Sequence, residues 1–189
     1  HYYISPKVWA WKENRIKRIK SYVDELYTIL PFETEYFAKR NIKAKYVGNP
    51  SKETVDEYLA TNDLHTGSKK IALLPGSRKQ EISTSLPIML DAMKQFPDYE
   101  LLVAQAPGFD DAYYHAFDHN LTLIKNDMYS LLAQSDAALV TSGTATLETA
   151  LMHVPQVVCY RMNELSYRIG KMIVKLDYIS LVNLILDKP

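Results

Sequence analysis

Ala137-Ala138-Leu139-Val140 runs directly into Thr141-Ser142-Gly143-Thr144-Ala145-Thr146-Leu147-Glu148. An apolar run that ends in a glycine turn with small hydroxyl residues and continues in a helical pattern reads as strand, turn and helix. At such a turn a ligand meets bare backbone, and the free N–H groups and positive dipole end of the helix favour an anion. Ser142, Gly143, Thr144, Ala145 and Thr146 are therefore candidate phosphate-binding residues. Glu148 lies one helical turn further in, placed to bind a sugar hydroxyl, since a capping box headed by Thr144 would need its acid at Leu147. The alternative is a hydroxyl-capped helix start with a surface glutamate.

Working outward, short apolar runs alternate with helical patterns from Ile71 onward. Ile71 to Leu74, Leu101 to Ala104, Leu121 to Ile124, Ala137 to Val140 and Val157 to Tyr160 read as strands. Helices are expected at Pro87 to Phe96, where Met89, Leu90, Met93 and Phe96 share a face, and near Asp110 to Asp118, Met128 to Gln134 and Thr146 to His153. This βα repetition predicts an α/β fold, a doubly wound parallel sheet covered on both faces, with ligands at the carboxyl ends of its strands. Gly143 falls at one such end. Gly76 falls at another, in Leu73-Leu74-Pro75-Gly76-Ser77-Arg78, where Arg78 would meet a diphosphate through paired charge-assisted hydrogen bonds. A Pro-Gly turn followed by a solvated arginine is the plain alternative.

The first fifty residues continue this alternation, with strands at Tyr2 to Ile4, Glu25 to Leu30 and Lys45 to Val47 and helices at Lys12 to Lys20 and Phe32 to Lys39. They form a partial second α/β unit, residues 1–49, and residues 50–189 form the main domain. A short helix, Glu53 to Ala60, connects them between Gly48-Asn49-Pro50-Ser51 and the polar stretch from Thr61 to Ser68. His1 at the start and Asp187-Lys188-Pro189 straight after an apolar run make a piece of a longer protein the expectation.

With 189 residues and 47% hydrophobic composition the chain can bury a core, and 22 basic residues balance 22 acidic ones. No basic field favours nucleic acid. The single cysteine, Cys159, sits in a buried-strand pattern and fits a reducing compartment. No apolar run approaches the ~20 residues of a membrane span. His115 and His119 have the spacing of a metal pair, but no third ligand completes the pattern. Trp9 and Trp11 would line a cleft or a lipid-facing surface, or pack against neighbouring helices. Lys12, Arg15, Lys17, Arg18 and Lys20, together with Arg168, Lys171 and Lys175 beside the stripe Leu165, Ile169, Met172, Ile173 and Leu176, suit anionic headgroups or plain solvent.

Taken in order, seven segments resemble the lipid-A-disaccharide synthases, inverting glycosyltransferases of the GT-B fold. They are Tyr3-Ile4-Ser5-Pro6 with Val8-Trp9-Ala10-Trp11, Ile29-Leu30-Pro31-Phe32-Glu33, Tyr46-Val47-Gly48 with Pro50, Leu74-Pro75-Gly76-Ser77-Arg78 with Glu81, Ser142 to Glu148, Val157-Val158 with Tyr160-Arg161, and Tyr178-Ile179-Ser180-Leu181 with Asn183-Leu184. Val182 stands where the family usually has proline and Asn49 where histidine is frequent. The glycine turns alone also look like those of the peptidoglycan N-acetylglucosaminyltransferase and UDP-N-acetylglucosamine 2-epimerase.

The resemblance implies a Rossmann-like domain that binds a UDP-sugar without metal or cofactor, truncated at its C-terminus, preceded by the tail of the acceptor domain. It implies a UDP-2,3-diacylglucosamine donor, a 2,3-diacylglucosamine 1-phosphate acceptor, and UDP as leaving group. Gly76, Ser77 and Arg78 with Ser142, Gly143, Thr144, Ala145 and Thr146 would face the diphosphate and Glu148 the ribose. Asn126, Asp127 and Met128 would meet the uracil edge, and Asn183 would be a further donor contact. The catalytic base is implied before His1, so no catalytic residue is expected in this segment, which would be inactive alone. Peripheral contact with the cytoplasmic face of a Gram-negative inner membrane is implied, and a homodimer is compatible with it. A 2-epimerase and a non-catalytic nucleotide-binding module are the other readings.

Overall fold

The computed structural model describes residues 1–10, 12–65, 67–161 and 181–186. Trp11, the stripe from Leu165 to Leu176 with its flanking cations, and Tyr178 to Ser180 lie outside the described residues. The described chain forms two compact units: His1–Glu53 with residues 183–186, and Thr54–Arg161 with residues 181–182. The division between the units falls between Glu53 and Thr54, inside the helix Pro50–Leu59.

In the first unit three short strands, β1 (Tyr2–Tyr3), β2 (Leu26–Thr28) and β3 (Ala44–Tyr46), pair in parallel in the order β1-β2-β3. Helices α1 (Ile16–Tyr22) and α2 (Glu33–Ala38) connect them, and Val8, Ile19, Leu26 and Phe37 form the core. The helix expected from Lys12 starts only at Ile16: Lys12 is left-handed, with φ 58°, and a 3-10 turn over Glu13–Arg15 intervenes. The basic side chains of this segment are exposed. Glu33 is buried, and its carboxylate accepts N–H groups from Ile29 (3.2 Å) and Leu30 (3.1 Å) and the Trp9 indole (2.9 Å). Trp9 also stands edge-on to Phe32 at 5.0 Å, so it is packed within its own unit.

The second unit carries the larger sheet. Its elements are most of α3 (Pro50–Leu59), which the division crosses, then β4 (Lys70–Leu74), α4 (Lys79–Met93), β5 (Glu100–Gln105), α5 (Asp111–His115), β6 (Thr122–Lys125), α6 (Met128–Ala133), β7 (Ala137–Thr141), α7 (Thr144–Leu151) and β8 (Gln156–Cys159). All five strands are parallel, in the order β6-β5-β4-β7-β8. Alternation along the strands divides the core. Ala72, Leu74, Leu102, Ala138 and Val140 pack with Val55, Leu131, Leu132 and Met152 on one face; Leu73 and Val103 pack with Ile82, Leu86, Met89 and Tyr114 on the other. Helices α3, α6 and α7 thus cover one side and α4 and α5 the other, the doubly wound arrangement expected.

Two helix starts differ from expectation. Helix α4 begins at Lys79 and not at Pro87, which lies exposed inside the helix, where the hydrogen bond it cannot donate is lost on the solvent side. Helix α7 starts at Thr144, directly after Gly143, and His153 with φ 58° follows its end. Strand β8 is not a buried strand throughout: Val157 is 62% exposed and Tyr160 beyond it 44%. No helix among the described residues is long and apolar enough to cross a membrane.

At the amino ends of the strands, Asp136 fastens the connection leading into β4. Its Oδ1 accepts the N–H groups of Gly67 (2.6 Å) and Ser68 (3.2 Å) and its Oδ2 that of Lys69 (2.9 Å). Charge-assisted bonds of this kind are the stronger ones. Asp136→Ala is expected to lower stability by about 2 kcal/mol, read as a lower urea midpoint with an unchanged slope; an unchanged midpoint would mean that the turn holds without it.

Candidate functional site

A cleft of about 630 Å³ opens at the carboxyl ends of β4, β5, β6 and β7. Strand order creates it. β4, β5 and β6 proceed outward in one direction, and the chain then crosses back through α6 to lay β7 against the other side of β4, with Leu74 opposite Val140. Loops that leave β4 and β7 depart to opposite faces at this switch point, which leaves a crevice.

Ten residues expected at a site line this one cleft: Gly76, Ser77 and Arg78 after β4, Asn126, Asp127 and Met128 after β6, and Ser142, Gly143, Thr144 and Ala145 after β7. Thr146 and Glu148 are not among its lining residues. Thr146 is fully buried and its hydroxyl donates to the Gly143 carbonyl at 2.8 Å. The Tyr129 hydroxyl donates to Glu148 Oε1 at 3.3 Å. Asn183 belongs to the helix Leu181–Leu186, in the first unit.

The fold asks different things of the two glycines. Gly143 is extended, at φ 167°, and a Cβ there would meet nothing nearer than the Thr141 carbonyl at 4.0 Å, so the fold itself does not demand glycine. With no side chain there, its backbone faces the cleft it lines. Gly76 has φ +107°, and a Cβ on it would lie 2.7 Å from the Glu81 Cβ and 2.8 Å from its Oε2. Both backbone conformation and space require glycine.

Glu81 stands so close because its carboxylate reaches back over the turn. Oε2 accepts the N–H groups of Ser77 (3.0 Å) and Arg78 (3.2 Å), and Oε1 accepts from Arg78 Nη1 at 2.9 Å. The Arg78 side chain is 82% exposed at the mouth of the cleft. Opposite lies the first turn of α7, where the Thr146 N–H donates to the Gly143 carbonyl at 3.2 Å and the N–H groups of Thr144 and Ala145 precede the first such bond of the helix. Asp127 caps α6 through the Ser130 N–H at 3.0 Å, and Asn126 before it is left-handed, with φ 51°. The carboxylate of Asp127 is thereby committed to the helix start.

The sequence pattern includes Glu81 without giving it a role, and it does not single out Gln105 or Tyr129, which also line the cleft. Gln105 ends β5, 8% exposed, with its amide N–H groups donated to the Phe109 carbonyl (2.7 Å) and Asp111 Oδ1 (3.0 Å). Hydrogen bonds from Lys125 first and Gln105 second hold the Asp111 carboxyl below its usual range. Tyr129 packs on Tyr58 at 5.5 Å, and burial, then the charge of Glu148, push its hydroxyl up. Taking every strand's carboxyl end as a candidate, with or without glycine, would have found Gln105. Among the described residues no group of three or more His, Cys, Asp or Glu side chains is arranged to hold a metal ion.

A doubly wound parallel unit whose glycine turns converge on a cleft at its switch point defines the class: a Rossmann-like unit of the GT-B glycosyltransferase kind. A family model described as lipid-A-disaccharide synthetase matches residues 1–189. Proteins named lipid-A-disaccharide synthase are similar to the chain: 38% identical in Syntrophus aciditrophicus over 99% of this chain, 33% in Geobacter sulfurreducens over 97%, and 36% in Coxiella burnetii over 100%. The match takes in 53%, 52% and 53% of those proteins respectively, so the chain spans about half the length of the curated relatives it matches. The chain belongs to the lipid-A-disaccharide synthetase family.

Gly76→Ala is expected to cost about 1–3 kcal/mol through its left-handed backbone and to displace Glu81 from the turn. Denaturation of the variant measures the first effect. A variant as stable as the parent would show that the turn relaxes freely.

Proposed function

We propose that the chain is the donor-binding portion of an enzyme that transfers a glucosamine unit from UDP-2,3-diacylglucosamine to 2,3-diacylglucosamine 1-phosphate. The products are the lipid A disaccharide 1-phosphate and UDP. Membership of the family supports the reaction; the observation that carries the donor role is the convergence of Arg78 and the start of α7 on one cleft. Residues 1–49 are the tail of the acceptor domain, and the donor-binding domain begins near Asn49.

UDP is a good leaving group, so the donor side chiefly needs fixed positive potential where the diphosphate charge develops. Arg78 supplies a full charge and the α7 start supplies the amides and dipole. Gly143 lets the phosphate approach that backbone. The loop Asn126-Asp127-Met128 meets the uracil edge. Glu148 binds the ribose, its carboxylate oriented by the Tyr129 hydroxyl. Asn183 is retained as a further donor contact. The acceptor hydroxyl loses a proton as it attacks the anomeric carbon, and the carboxylate base for that step is assigned to the half of the relatives that this chain does not span. Lipid substrates favour peripheral contact at the cytoplasmic surface of a Gram-negative inner membrane, a homodimer is compatible with this reading, and the even charge balance gives no support to nucleic acid as a partner.

Calorimetry with UDP and uridine tests the donor site. The chain is expected to bind UDP more tightly than uridine and to show no synthase turnover. Arg78→Ala is expected to weaken UDP by about ten- to a hundredfold and leave uridine unchanged. Equal loss for both ligands would remove Arg78 as a phosphate ligand. Release of the 2-epimer from a UDP-sugar without lipid acceptor would favour an epimerase instead.

A further inference from the structure

The start of α4 has the makings of a second anion site: a glycine turn, two backbone N–H groups pointing the same way and a helix of 15 residues behind them. That place is already taken by the protein's own carboxylate. We propose that Glu81 is the positioning residue for Arg78. Its carboxylate fills the nest of the Gly76-Ser77-Arg78 turn and aims the guanidinium, so the turn presents a diphosphate with one oriented cation and not with free amides. The inference rests on the diphosphate reading above and goes beyond it in saying which groups of the turn are left for the ligand.

Three hydrogen bonds to one carboxylate carry the argument. Oε2 takes both backbone N–H groups, which leaves Oε1 for Arg78 Nη1. Glu81 cannot drift from this position easily. Its neighbour Ile82 is fully buried in the core and donates its N–H to the Arg78 carbonyl at 3.0 Å, so the first turn of α4 fixes the Glu81 backbone. The missing side chain at Gly76 is the space the Glu81 side chain occupies. Arg78, by contrast, is mostly in solvent, and an exposed arginine samples many rotamers unless something holds it. A planar guanidinium bound through one Nη keeps further N–H donors for a phosphate. A simple charge argument gives the opposite sign, because a carboxylate beside a phosphate site repels the ligand and its removal should tighten binding.

Glu81→Gln separates the two, since a glutamine oxygen still accepts the backbone N–H groups but forms no ion pair with Arg78. With UDP and uridine titrated into the chain, UDP affinity is expected to fall roughly three- to tenfold as Arg78 loses its orientation, with uridine affinity and melting temperature near those of the parent. Adding Glu81→Gln to Arg78→Ala is expected to cost nothing further, because the two act as one unit. Unchanged or tighter UDP binding, a loss shared by uridine, or additive losses in the double variant would each overturn the assignment. A parent chain that binds UDP no better than uridine would overturn the diphosphate reading itself, and that failure is visible before any variant is made.

Discussion

Parallel pairing of β4 with β7 is the constraint on which the site depends. The register that sets Leu74 against Val140 brings two turns far apart in sequence to the same edge of the sheet. Alternation of side chains then commits the flanking residues to opposite cores, Leu74 and Val140 to one and Leu73 to the other. Because α4 leaves on one face and α7 on the other, the turns open toward one cleft without blocking each other. Each turn brings something different to the cleft: one the Arg78 side chain, the other the backbone at the start of α7.

The same device recurs where a turn must be rigid. Glu33 gathers the N–H groups of Ile29 and Leu30, Glu81 those of Ser77 and Arg78, and Asp136 those of Gly67, Ser68 and Lys69. What differs is the additional donor. For Glu33 it is the Trp9 indole, which ties a distant segment into the first unit; for Glu81 it is the Arg78 guanidinium. Of these three carboxylates Glu81 alone lines the cleft, so there the carboxylate that braces a turn also pairs with a cation at the cleft.

Much of this is legible in the sequence because apolar runs and glycine turns are local signals. Strands and the two turns follow from Ile71 to Leu74, Ala137 to Val140, Gly76 and Gly143. The start of α4 does not, because Pro87 imitates a helix beginning and the real one is braced by Glu81 behind an arginine rather than headed by a serine, threonine, aspartate or asparagine. Gln105 escapes because no glycine follows β5 directly, although strand ends bear ligands with or without one. Spacing along the chain points to Glu148, but not to its hydrogen bond with the Tyr129 hydroxyl, since the two residues lie on different helices and spacing cannot express that pairing. Trp9 is ambiguous in the sequence for the same reason, since its partner Glu33 lies on a distant segment.

The most direct test of the central claim is a backbone amide chemical-shift titration of the chain with UDP and, separately, with uridine. If the β4 and β7 turns hold a diphosphate as described, UDP but not uridine moves the amides of Gly143, Thr144 and Ala145 strongly. Those of Ser77 and Arg78, already held by Glu81, then shift little while the Arg78 side-chain resonances respond. Large diphosphate-dependent shifts at the Ser77 and Arg78 amides, or none at the start of α7, would contradict the account.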